Sequence, residues 1–163
     1  MLDPLPGRSS IASRKDVEPP SLNGAFRMPH INYLAVLVAG IVIFMLGGLW
    51  YSPALFANRW VALQGKTMEE MKASGGANAG MYIQVFICGL ITAWIMAIVI
   101  GFLPSFSVVR ALKLAAICWL GLAAVTSYGT ALFSSKPREL WLIDTAYNFV
   151  SFIAAAAILA VWR

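Results

Sequence analysis

The stretch INYLAVLVAGIVIFMLGGLWY, Ile31 to Tyr51, decides the fold. No Asp, Glu, Lys or Arg interrupts the chain between Arg27 and Arg59. At about 1.5 Å of rise per residue, some twenty apolar residues cross the roughly 30 Å hydrocarbon core of a bilayer as one helix. Lipid offers no partner to an exposed N–H or C=O, so such a stretch must close its own backbone hydrogen bonds. Three further stretches read the same way: Ala79 to Phe102, closed by Pro104; Val109 to Phe133, with Arg110 and Lys113 at its start; and Arg138 to Trp162, with Lys136 just before it. The fold class expected is all-α, a four-transmembrane-helix bundle. An even number of spans puts both termini on one side, so the first and third spans leave the membrane where the second and fourth enter it.

Composition agrees. The chain has 163 residues, of which 60% are hydrophobic and 12% charged, where a soluble domain carries about a quarter charged residues. The net charge of +5 sits in the N-terminal tail and the loops. That distribution suits a membrane surface, and no basic face with aromatic or groove-reading residues suggests nucleic acid. The partners expected are the lipid bilayer and either further copies of the chain or an unknown membrane partner. Lys and Arg bias favours N-in, C-in in a bacterial cytoplasmic (inner) membrane: Arg8, Arg14, Lys15, Arg27, Arg110, Lys113 and Arg163 would lie inside, against Arg59, Lys66, Lys72, Lys136 and Arg138 outside. Residues 1–27, rich in Pro, Ser, Gly and mixed charge, read as a disordered tail or as a mis-called start before Met28. Residues 28–163 form the membrane domain.

Enzyme signatures are missing. The single His30 excludes paired-histidine haem or zinc ligation within the chain. Cys88 and Cys118 lie inside apolar stretches, without metal or disulfide spacing. No phosphate loop, Ser-His-acid set or deep pair of carboxylates is present. The expectation is a non-enzyme with no cofactor, no metal and no catalytic residue.

Between the first two spans, Leu55, Phe56, Trp60 and Leu63 fall at helical spacing and suggest a short helix lying in the interface. Thr67 and Glu70 read as a capping box opening a second short helix, ended by Gly75-Gly76. Pro137 stands where a helix start loses nothing by its missing N–H. These marks also carry a resemblance. Asn32-Tyr33 opens the first span and Gly47-Gly48-Leu49-Trp50-Tyr51-Ser52-Pro53 closes it. Leu55-Phe56, Trp60, Leu63-Gln64-Gly65, Thr67 and Glu69-Glu70 follow, then Lys136-Pro137, Leu140-Trp141-Leu142-Ile143 and Tyr147. From Met28 to Arg163 the chain resembles the bacterial membrane proteins catalogued as domain of unknown function 1761. That resemblance implies four spans and no activity.

The candidate chemistry lies in the fourth span. Asp144, Tyr147, Asn148 and Ser151 stand at i, i+3, i+4 and i+7, one polar stripe on a helix. Polar groups facing lipid are costly, so the stripe should face protein, as hydrogen-bonding glue between helices, or water, as a pore lining. Tyr51, Ser52, Arg59, Trp60, Lys136, Arg138, Glu139 and Trp141 share its end of the bundle. Their aromatic members suit an interfacial belt; a vestibule with Arg59 or Arg138 near Asp144 is the other reading. Gly40, Gly47, Ala35 and Ala39 give the first span close-approach surfaces. A structural or interaction membrane protein is expected, with a small homo-oligomeric transporter or channel subunit as the alternative.

Overall fold

The computed structural model describes residues 28–73, 75, 78–103 and 107–162. The tail 1–27, Gly76, Pro104 and Arg163 lie outside the described residues. The described chain forms helices α1 (Tyr33–Trp50), α2 (Ala57–Leu63), α3 (Met68–Ala73), α4 (Ala79–Gly101), α5 (Val108–Cys118), α6 (Val125–Phe133) and α7 (Arg138–Val161). A π-helical segment, Trp119–Ala124, joins α5 to α6 into one long helix. Four helices are long and apolar enough to cross a membrane: α1, α4, the joined Val108–Phe133 helix and α7.

Local sequence sets where the spans begin. The Asn32 side chain accepts hydrogen bonds from the N–H groups of Leu34 and Ala35, both at 3.1 Å. Asn78 does the same for Met81 at 3.0 Å. Each side chain satisfies donors that the first turn of a helix leaves unpaired. At the start of α7, Pro137 stands at the N-cap with ψ 136°, one position before the helix proper. Thr67 and Glu70 close the expected capping box: Thr67 N donates to Glu70 Oε2 at 2.8 Å, and Glu70 N to Thr67 Oγ1 at 3.1 Å.

Helix α7 is the centre of the bundle. It packs against α1, α4 and α5, while α1 also packs along α4. The core is rich in small residues: Ala35, Ala39, Ala93, Ala111, Ala115 and Ala155 have no exposed surface, and Met96, Ile100 and Leu159 fill in beside them. Lipid supplies no hydrophobic drive between helices, so close backbone approach and dispersion must hold them together. The α1–α4 crossing shows how close. A Cβ added at Gly40 would lie 2.5 Å from Leu90 Cδ2 and 3.2 Å from Leu90 Cα, and one at Gly89 would lie 3.3 Å from Ile43 Cγ2. The outer faces are largely apolar, with Ile83, Ile117, Leu122 and Val125 exposed, as suits a surface solvated by acyl chains.

Candidate functional site

The residues Trp50-Tyr51-Ser52-Pro53 turn the chain sharply as α1 ends. Ser52 Oγ donates to Leu49 O at 2.7 Å, and Leu55 N and Ala57 N both donate to Ser52 O. Phe56 N returns to Trp50 O at 3.2 Å. The short helix α2 therefore starts at Ala57, and it carries Trp60 back beside Tyr51, their rings edge to face with centroids 5.4 Å apart.

That turn assembles the site around Asp144. Tyr51 Oη and Trp60 Nε1 both donate to Asp144 Oδ1, each at 2.9 Å. Trp50 Nε1 donates to Ile143 O at 3.1 Å, and Trp119 Nε1, from the π-helical segment, donates to Thr145 O at 2.9 Å. Three successive residues of α7 thus each accept one indole N–H, from α1, α2 and the third span. A fourth indole points the other way: Trp141 Nε1 of α7 donates to Ser127 Oγ at 3.0 Å. Tyr147 Oη donates to Ile43 O at 3.3 Å and lies where Gly47 leaves room; a Cβ on Gly47 would stand 3.0 Å from it.

Trp50, Tyr51, Trp60 and Trp141 therefore do not simply face the interface as a belt. Each is half-buried and uses its polar tip on a partner helix. An indole or phenol carries an apolar body with one donor that needs an acceptor once water is excluded, and α7 supplies it. Trp50 and Trp119 were not among the sequence candidates for the site. Their signal was faint: one indole at each of two span positions, with nothing to say whether it turns toward lipid or protein.

The charged candidates are placed differently from the expected vestibule. Arg59 forms a two-pronged ion pair with Glu139, not with Asp144. Hydrogen bonding to that carboxylate raises the Arg59 guanidinium above its ordinary pKa. Both side chains are about half exposed, at 59% and 48%, so water screens the pair. Asp144 lies five residues further along α7, about 7.5 Å deeper along the helix axis, where neutral donors meet it instead of a cation. Arg138 and Lys136 are exposed. Ser151 and Thr145 are buried, and the Thr145 hydroxyl has no hydrogen-bond partner among the described residues. Asn148 is half-buried on the same stripe.

A cleft of about 320 Å³ opens beside this cluster, between α2 and the turn leading into α7; Trp60, Gln64, Ser135, Lys136, Leu140 and Asp144 are among its lining residues. At the other end of the bundle His30 borders a cavity of only about 20 Å³. Among the described residues no group of His, Cys, Asp or Glu is arranged to hold a metal ion.

No curated protein and no solved structure matches this chain. A family match does cover residues 34–160, from the first turn of α1 to the last of α7, and so includes every residue of the indole-lined cluster. With four helices long and apolar enough to cross a membrane, the chain belongs to the family described as protein of unknown function (DUF1761).

Proposed function

We propose that the protein is a structural or interaction protein of a bacterial cytoplasmic membrane, crossing it four times with both termini inside, and that its polar stripe holds helices together. One observation supports this above the others: Asp144, through Oδ1, and Tyr147 make hydrogen bonds to other helices of the bundle. Asp144 Oδ1 receives Tyr51 and Trp60, and Tyr147 is taken up by Ile43 O. A conducting path needs such groups free to exchange partners with water or solute. The proposal extends to self-association. The third span packs chiefly on α7, and it leaves Ile117, Leu122 and Val125 at 68%, 72% and 61% exposure for lipid or another copy.

The cleft at Asp144 favours a second reading, a small transporter or channel subunit. Flux measurements on proteoliposomes separate the two. Asp144→Asn keeps an acceptor oxygen for Tyr51 and Trp60 but cannot titrate. A packing role leaves the pH dependence of any ion or solute flux the same in wild type and variant. Loss of a pH-dependent wild-type flux in a correctly folded Asp144→Asn protein would establish the transport reading.

A further inference from the structure

Asp144 has two carboxylate oxygens, and the bundle uses one. Both indole and phenol donors converge on Oδ1, and no donor among the described residues reaches Oδ2. Asp144 also lines the cleft of about 320 Å³, at the low end of the roughly 300–1,000 Å³ typical of small-ligand sites. Trp60 contributes an aromatic wall, and Lys136, Ser134 and Ser135 line the cleft with it. One acid, one cation, hydroxyls and an indole thus face a common space.

The turn carrying the hydroxyls is held in an unusual shape. Ser135 has φ 53°, a left-handed conformation that a residue with a side chain seldom adopts. It closes α6 through Ser135 N to Leu132 O and Lys136 N to Ala131 O, the paired bonds of a Schellman ending, where glycine is the usual residue. The equivalent ending of α2 does use glycine, Gly65 at φ 71°. At Ser135 the chain keeps a hydroxyl at the cleft despite the backbone cost. Residues held in such conformations cluster at ligand-binding and active sites.

We propose that the cleft binds a phosphate–ammonium zwitterion of the phosphoethanolamine type, with the ammonium on Asp144 Oδ2 and the phosphate on Lys136 and the Ser134 and Ser135 hydroxyls. The amine-bearing phospholipid is the source the position favours, because the cleft sits at the ends of the spans, at the level of phospholipid head groups. An ammonium retaining its N–H groups can donate to Oδ2, and a carboxylate–ammonium bond is stronger than one between neutral groups. A trimethylated ammonium cannot donate, and a glycerol head group carries no cation. The proposal goes beyond the packing role and is independent of it, since packing uses Oδ1.

The test is native mass spectrometry of the full chain in mild detergent, with phosphatidylethanolamine, phosphatidylcholine and phosphatidylglycerol of identical acyl chains. Phosphatidylethanolamine should be retained about tenfold over each of the others. Asp144→Asn and Lys136→Gln should each remove that preference. Ser135→Gly, which suits the backbone and deletes only the hydroxyl, should weaken retention without loss of fold, so the outcome does not hang on Asp144 alone. Displacement by soluble O-phosphoethanolamine would support the same chemistry with a free ligand as its source; lack of displacement would assign it to the lipid. Equal retention of the ethanolamine and choline lipids, or an undiminished preference in both Asp144→Asn and Lys136→Gln, would overturn the proposal.

Discussion

Asp144 shows how much a single carboxylate can organise when its donors are neutral. Tyr51 and Trp60 reach the same oxygen from different helices, so removing that acceptor strands two donors at once. Asp144→Leu should destabilise the folded protein by about 2–4 kcal/mol, from roughly 1–2 kcal/mol per stranded donor. Asp144→Asn, which retains an acceptor, should lose less than about 1 kcal/mol. Thermal unfolding of both variants in one detergent checks the difference. At the surface, Arg59→Gln should leave the thermal midpoint unchanged despite the short ion pair with Glu139, because exposed pairs contribute little. The sign with pH follows from the raised Arg59 pKa. Its small contribution is present below the ordinary arginine range and, on the alkaline side, is lost as pH rises above it, outside any working condition.

The stripe itself was legible in the sequence, since i, i+3, i+4 and i+7 fix one helix face whatever the tertiary structure. Its partners were not. Charge complementarity suggested Arg59 or Arg138 for Asp144, but Arg59 lies on the exposed face of α2 and meets Glu139 in the first, hydrated turn of α7. Depth along the helix, which a linear sequence does not report, chose between them.

At the scale of elements, the spans were readable because length and hydropathy are properties of the chain alone. Their ends agree with the expected bounds within two residues. The short helix between the first two spans was readable too, though it starts at Ala57, because the turn after Trp50 uses the N–H groups of Leu55, Phe56 and Ala57. The π-helical segment Trp119–Ala124 left no mark in the sequence: no proline announces it, and its apolar residues suit an ordinary turn equally well. What it accompanies is visible only in the fold, where Trp119 begins the segment and bonds Thr145 O.

Glycine spacing gives the sharpest prediction for elements. Gly40→Val should force α1 from α4, costing about 1–3 kcal/mol as overpacking does, because a Cβ there already collides with Leu90. Gly48→Ala is the control. Nothing lies within 4 Å of its added Cβ, and alanine is the better helix former by about 0.5–1 kcal/mol. Unfolding midpoints that fall for the first and hold or rise for the second would fit this packing.

The whole molecule is an alanine-rich bundle with long apolar flanks. Three indoles clasp consecutive residues of α7 at one end, and among the described residues of the other end His30 borders a cavity of about 20 Å³. If the exposed third span completes itself against another copy, native mass in lipid nanodiscs should show a dimer or higher species; a monomer in both nanodiscs and mild detergent would remove self-association.

Whether water travels along the stripe is the most direct test of the packing role. With Cys88 and Cys118 replaced, single cysteines at Ser134, Asn148 and Ser151 can be challenged by a membrane-impermeant thiol reagent in sealed vesicles of either orientation. A packed stripe predicts rapid labelling of Ser134→Cys, which lines the open cleft, and none of Ser151→Cys, whose position is 3% exposed. Labelling of Asn148→Cys and Ser151→Cys at rates comparable to Ser134→Cys would contradict it, and would mean that the stripe lines a path for water.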